Sequence, residues 1–261
     1  MKRIYYILVF IILTPSLYAV SYDEIEELSA KLEKKYSIYI FTKNTPRSTW
    51  ELNTGSLKEE HYESLYKYMI LFDEEFSKYP KSFIRKTRLR DVSFVSNLSL
   101  NGQERSALPD FKREILFYDF LRGDSNTTYQ RHVIHHEFYH MIEEDINSDV
   151  YWKDPNWAKL NKLGYKYSID KRMAEENSSE YKLSHPDQGF LNLYSKSALE
   201  EDKAEIFASI FVKEEYKKVR EWIKNDEILS NKVKYMKAFL LKVDNSFNES
   251  YWNKLHNCNT K

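Results

Sequence analysis

Apolar residues recur along this chain at two different periods, and the changes between them predict its elements. Residues 22 to 36 carry the spacing of a charged amphipathic helix, and Ser37 to Thr42 reads as a short strand rich in Ile and Tyr. Helical spacing returns from Leu57 to Tyr79 through Tyr62, Leu65, Tyr66, Tyr68, Met69, Phe72 and Phe76, and Pro80 ends it. Three short apolar runs follow: Val92 to Leu100, Gln103 to Leu108 and Arg113 to Asp119. Asn101-Gly102 and Pro109-Asp110 separate them, and both dipeptides are turn signals. The period then lengthens again. Asn126 or Thr127 can cap a helix, Thr127 and Gln130 make a capping box, and Val133, Ile134, Phe138, Met141 and Ile142 recur at helical spacing behind them. Residues 148 to 257 read as mostly helical, with Ala198 to Ala208 a second amphipathic segment. The class expected is α+β: a small antiparallel or mixed sheet, one long helix after it, and a mostly helical C-terminal half. The pattern divides into 22–80 (helix and strand), 81–147 (sheet and long helix) and 148–261 (helices), with no repeat or low-complexity linker to force a domain boundary.

The first residues change that picture. Lys2 and Arg3 precede the apolar run Ile4 to Leu13, and Thr14-Pro15-Ser16 breaks it before Ala19. This is the pattern of a signal peptide over residues 1–21, cleaved near Ala19 to Ser21, so the mature chain is expected to be secreted. The run is too short to span a bilayer, no cysteine follows it to carry a lipid, and no later run of about 18 apolar residues offers a membrane anchor. Apolar residues make up 42% of the 261, enough for a substantial core. The single Cys258 excludes an intramolecular disulfide, so packing must supply the stability. Forty basic residues balance forty acidic ones. There is then no global field to recruit nucleic acid or an anionic membrane. The one basic cluster, Lys81, Arg85, Lys86, Arg88 and Arg90, reads as a solvated face around Phe83 and Ile84.

The long helix carries the chemistry. His136-Glu137-Phe138-Tyr139-His140 is an H-E-x-x-H, which puts two imidazoles about one turn apart on one helix face, where they can share a tetrahedral metal. Glu137, next to the first histidine, is placed to take a proton from water and give it back. His135 points about 100° away and reads as a structural or surface histidine. A catalytic zinc needs a third protein ligand. The metzincin extension would put glycine at 143 and histidine at 146, and Glu143 and Ile146 exclude it. Downstream, Glu201 and Glu205 share a helix face at i, i+4; one can reach the metal while the other hydrogen-bonds the far nitrogen of a ligating histidine.

H-E-x-x-H with a downstream E-D-x-A-E, His136 to His140 and Glu201 to Glu205, resembles the bacterial zinc-binding metallopeptidases of gluzincin type, which are similar in turn to the catalytic domain of anthrax lethal factor. Supporting pieces run in the family's order: Trp157-x-x-x-Asn161, Tyr165-Lys166-Tyr167, Gly189-Phe190, and Tyr194 seven residues before Glu201. The resemblance covers about residues 83 to 213. It implies a zincin-like fold and a bound Zn2+, with His136, His140 and Glu201 as ligands and Glu137 as general base. Glu205 would be the carboxylate behind a ligating histidine, and Tyr194 would stabilise the oxyanion. His185 and Asp187 lie in the loop before the second helix and are expected to stand outside the site.

The function expected is that of a secreted zinc metalloendopeptidase acting on a protein or peptide. Two alternatives are a non-catalytic binding protein on the same scaffold and an exopeptidase. An intact Glu137 weighs against the first, and no motif for gripping a free terminus supports the second. Gln103 to Leu108, with its small Ser106 and Ala107, is expected to be an edge strand beside the cleft that pairs with extended substrate.

Overall fold

Ser21 opens the first helix with a reciprocal cap. Its hydroxyl accepts from the Glu24 N–H, and the Glu24 carboxylate accepts from the Ser21 N–H at 2.8 Å. In the computed structural model, which describes residues 19–123, 126–149, 151–167 and 182–257, this helix is α1 (Tyr22–Tyr36). It buries Ile25, Leu28, Leu32 and Tyr36 and ends at Ser37, in the left-handed conformation. Strands β1 (Tyr39–Phe41) and β2 (Leu52–Gly55), helices α2 (Tyr62–Phe76) and α3 (Lys81–Ile84), and strands β3 (Asp91–Leu100), β4 (Gln103–Glu104), β5 (Ala107–Asp110) and β6 (Ile115–Asp119) follow. Helix α2 is shorter than its apolar pattern, because a 3-10 turn at Glu59–His61 precedes it.

Strand β3 organises the sheet, in the order β1-β3-β6-β5. Its first half runs parallel to β1 and β6, and its second half pairs antiparallel with β2 and β4. Asn97 stands where the partners change, with φ 52°, a left-handed conformation that asparagine tolerates better than most residues. Leu100 then pairs with Gln103 across Asn101-Gly102, both at positive φ, as a two-residue hairpin requires.

The run Gln103 to Leu108, expected as one strand, is split: β4 extends the β3 hairpin and β5 pairs antiparallel with β6. The edge position holds, since β5 ends the strand order. The Asp119 N–H donates to the Ser106 carbonyl at 2.9 Å, and the register runs Ala107↔Tyr118, Pro109↔Leu116. Alternation of an antiparallel ladder therefore turns the backbone groups of Ala107 and Pro109 away from β6. Pro109 has no N–H to present there, and its carbonyl accepts from the Trp50 indole at 3.2 Å. The Asp110 carboxylate anchors the facing loop, accepting from Ser48 Oγ (2.7 Å) and the Thr49 N–H (2.6 Å).

Helix α4 (Thr127–Asn147) lies against the sheet, and the Tyr118 hydroxyl donates to the Ile134 carbonyl at 3.1 Å. Asn126 caps it by accepting from the Tyr129 N–H, whereas Gln130, expected to close a capping box, turns to the Arg122 carbonyl. Beyond α5 (Pro155–Ala158), the helical half comprises α6 (Leu199–Phe211), α7 (Lys213–Trp222), α8 (Glu227–Val243) and α9 (Glu249–Asn257). The α+β class, with a small mixed sheet and helical C-terminal half, is as expected. The basic cluster is more committed than a solvated face. Arg88 pairs with Asp145 at 2.8 Å, Arg90 with Asp91 at 3.1 Å and Lys86 with Asp244 at 3.1 Å, while Phe83 and Ile84 are buried. No helix among the described residues is long and apolar enough to cross a membrane. The expected signal peptide, up to residue 18, and Cys258 lie outside the described residues.

Candidate metal centre

Helix periodicity puts His132, His136 and His140 on one face of α4, four residues apart each time. His136 Nε2 and His140 Nε2 approach to 3.1 Å, and Glu201 Oε2 from α6 lies 3.1 Å from the first and 3.3 Å from the second. All three side chains are buried. Ligands about 2.0–2.2 Å from a tetrahedral zinc stand roughly 3.3–3.6 Å from one another, so these atoms already sit within a few tenths of an ångström of the edges of such a site. The donor set fits the metal in charge as well. Burial would make the His136 imidazole hard to protonate, yet Glu201 and Glu205 outweigh it and push the pKa up to about 10. The pocket thus calls for a cation at this point. Glu137 faces the same cleft, and burial raises its pKa above the usual carboxylate range although His136 and His140 oppose the shift.

Helix α6 was expected to be amphipathic, but it is buried nearly all round, so each of its charged residues has its own partner. Glu201 faces the histidines. Glu205, against the pull of burial, is held ionised with a pKa of about 2 by His132 and His136. Its Oε1 lies 3.0 Å from both His136 Nδ1 and His132 Nε2, and its Oε2 accepts from Asn192 Nδ2 at 2.6 Å. Lys203 pairs with Glu143, whose carboxyl burial pushes up to about 7 against the lysine's attraction. Asp202 gathers the stretch between the two motifs. Its Oδ2 accepts from Trp157 Nε1 (2.9 Å), the Tyr167 hydroxyl (2.7 Å) and Lys232 Nζ (2.7 Å). Asn161 donates to the same Tyr167 hydroxyl, and Lys232 also reaches the Gly189 carbonyl and stands 3.9 Å over the Phe190 ring. Those motif residues build the wall behind α6.

The cleft encloses about 400 Å³ between α4, the Glu104–Ala107 segment before and into β5, and the 3-10 turn at Tyr194–Lys196. His136, Glu137, Glu205 and Tyr194 all line it, and the Tyr194 ring centroid stands 5.9 Å from that of His136. Glu200 turns from this point and is only half-buried. His185 accompanies α7 and α8 instead: it bonds Asp226 at 2.8 Å and stacks on Trp222. Asp187 pairs with Lys196. His135 is wholly buried on the far side of α4, between Glu75 (2.6 Å) and the Tyr79 hydroxyl.

His132 was missed. The sequence signal was its spacing, one helical turn ahead of His136 as His136 is ahead of His140. With His136 and Glu205 it makes a second group whose donor atoms lie within 4.8 Å of one another.

Comparison with known proteins agrees with the motifs. Residues 64–260 match the family model described as "Putative zinc-binding metallo-peptidase", a longer stretch than the motifs alone cover. The fold is similar to the crystal structure of a protein of that description from Bacteroides caccae ATCC 43185, with a TM-score of 0.52 over 90% of this chain and 95% of that one. Sequence identity is 15%, so this likeness speaks for the fold. Among curated proteins none matches. With a family model spanning most of its length, the chain belongs to the family of zinc-binding metallo-peptidases so described.

Proposed function

We propose that the protein is a secreted zinc metalloendopeptidase of gluzincin type, with His136, His140 and Glu201 as the ligands. The observation that carries this reading is the convergence of three buried donor atoms at 3.1–3.3 Å, one of them on His136, which lines a cleft together with Glu137. Zinc held there would polarise the scissile carbonyl and ease loss of a proton from the attacking water. Glu137 takes that proton as the water oxygen adds to the carbonyl carbon, and returns it to the amine nitrogen as the C–N bond breaks. Its raised pKa suits a group that must do both. Glu205 Oε1, 3.0 Å from His136 Nδ1, stands behind that imidazole as the carboxylate that would keep its Nε2 turned toward the metal. An extended peptide would run beside β5, pairing with the outward N–H and carbonyl of Ala107. Secretion is supported by the basic and apolar pattern before Ala19. The deciding experiment is digestion of a diverse set of capped and uncapped peptides by the mature protein, with and without chelator. Internal cleavage that chelator abolishes is expected; cleavage only at free termini points to the exopeptidase, and no cleavage to the binding protein.

Two side chains separate this ligand and oxyanion assignment from its neighbours. Glu201→Ala is expected to lose most of its zinc on dialysis while Glu200→Ala retains about one per chain, as three protein ligands require. Equal retention in the two variants rejects Glu201 as a ligand. Tyr194→Phe should lower kcat by about 10²- to 10³-fold with KM and zinc content nearly unchanged, because its hydroxyl would donate to an oxyanion formed only in the transition state. Full kcat in that variant would leave Tyr194 as packing against His136.

A further inference from the structure

Asn192 is wholly buried three residues ahead of Ser195, and its side-chain amide is used at both ends. The Ser195 N–H donates to Asn192 Oδ1 at 2.8 Å, and Ser195 Oγ donates to the Asn192 carbonyl at 2.7 Å. An N–H can only donate, so the oxygen of the amide is fixed on the Ser195 side. The nitrogen is left for α6, where Nδ2 donates to Glu205 Oε2 at 2.6 Å. A buried amide left unmatched is costly, so the two bonds hold Asn192 in one orientation. Between Asn192 and Ser195 stands Tyr194, at the head of the 3-10 turn Tyr194–Lys196. The turn is closed from its other side as well. The Lys196 N–H donates to the Leu193 carbonyl at 3.0 Å, and the Ser197 N–H and Oγ both donate to the Tyr194 carbonyl, at 2.9 and 2.7 Å. An asparagine that accepts from an N–H three residues ahead is a common turn device. Here its amide nitrogen also reaches the helix that carries Glu201 and Glu205, which makes the turn part of that helix's frame.

We infer that Asn192 is a positioning residue for Tyr194: it shapes the turn that carries Tyr194 and fastens that turn to α6 through Glu205, so that the tyrosine enters the cleft at a fixed place beside His136. This rests on the proposed reading of Tyr194 as the oxyanion donor. Tyr194 lines the cleft, with its ring centroid 5.9 Å from that of His136, but it stands on a short turn and not on a long helix. A side chain so placed is only as well aimed as its turn is held, and a misplacement of about 1 Å can cost on the order of 10²-fold in rate. The residue type matters as well. An ionised aspartate would accept from the Ser195 N–H but offer Glu205 no donor, and a leucine would do neither.

The test is a double-variant cycle of Asn192→Ala and Tyr194→Phe, with kcat and KM measured at saturating zinc. Asn192→Ala is expected to retain about one zinc per chain and to lower kcat about 10- to 100-fold, with KM within about twofold of the parent protein. Because Asn192 acts through Tyr194, the double variant should fall no more than about threefold below Tyr194→Phe alone. A residue that only holds the fold together would lower kcat by the same factor in both backgrounds. Amide hydrogen exchange, which needs no turnover, gives a second reading: Asn192→Ala should speed exchange at Ser195 by about tenfold, the worth of one hydrogen bond, while the amides of α4 keep their parental rates. A kcat within about twofold of the parent in Asn192→Ala, equal factors in the two backgrounds, or unchanged exchange at Ser195 each overturns the inference. If Asn192→Ala does not fold, Ser195→Ala decides by the same cycle, since it removes the Oγ bond to the Asn192 carbonyl. A loss in kcat of about tenfold that disappears beside Tyr194→Phe is expected there. Parental kcat, or a loss that persists in full beside Tyr194→Phe, overturns the inference. Nearly full kcat in Tyr194→Phe itself rejects the oxyanion assignment and the inference with it, whereas a parent protein without zinc-dependent hydrolysis rejects the proposed function.

Discussion

Glu137→Gln is expected to bind zinc as the parent protein does and to hydrolyse peptides about 10²- to 10⁴-fold more slowly. The amide keeps the size and shape of the side chain but has no basicity, so it can neither take the proton of water nor return it to the amine. Glu137 is absent from the converging set of His136, His140 and Glu201, which is why zinc content should not change. Its environment agrees with the role: burial holds the carboxyl above its ordinary range, while the two neighbouring imidazoles keep the shift from running further. Metal content and turnover measured on the same preparation decide the matter. Activity within about tenfold of the parent would remove Glu137 as the base, since such groups contribute at least about 10²-fold.

Lys232→Met should be strongly destabilising although it lies outside the metal centre. Lys232 and Asp202 are both fully buried, and burial pulls each toward its neutral form against their mutual attraction. Taking the lysine away leaves the fully buried Asp202 carboxylate with Trp157 and Tyr167 as its donors among the described residues. Breaking a buried pair in this way costs about 3–5 kcal/mol. For a chain of this size that is a fall in Tm of roughly 6–20 °C, readable by calorimetry. The double variant Asp202→Asn/Lys232→Met, which leaves no charge behind, should recover much of the loss. A Tm within about 2 °C of the parent in Lys232→Met would show that the pair does not hold α6 and α8 together.

What was legible in the sequence follows from how local each signal is. His136, Glu137 and His140 lie within one and a half turns of a single helix, so their spacing alone put them together. Glu201 and Glu205 were visible as an i, i+4 pair, but which of them meets Nε2 and which meets Nδ1 depends on how α6 lies across α4, and only the resemblance separated them. His132 shows the limit from the other side. Its spacing was there to read, yet one of its partners is Glu215, 83 residues away and on another helix. Helix α6 misled for a related reason. Its pattern reads as amphipathic, and the burial of Asp202 and Lys203 follows from partners as far apart as Glu143 and Lys232. Strand β2 was missed because Leu52 to Gly55 has a single large apolar residue; its place comes from pairing with the far half of β3. The split of Gln103 to Leu108 was equally hidden, since β4 and β5 choose different neighbours on either side of Arg105-Ser106.

The blunt end of β5 bears on how this protein lives at high concentration. A sheet edge open enough to receive a peptide is also open to a strand from another copy of the same chain, and unguarded edges seed aggregates. Here the outward ladder offers Ala107, and the next outward position is Pro109, which has no N–H and whose carbonyl is already taken by Trp50. A visiting strand can find one complete set of backbone partners, close to Glu137, and cannot extend past it. On the proposed reading a short stretch of peptide would meet what it needs there, whereas a copy of the protein looking for a long run of backbone bonds would not. The same proline and tryptophan that shorten the edge therefore keep the molecules from polymerising through it.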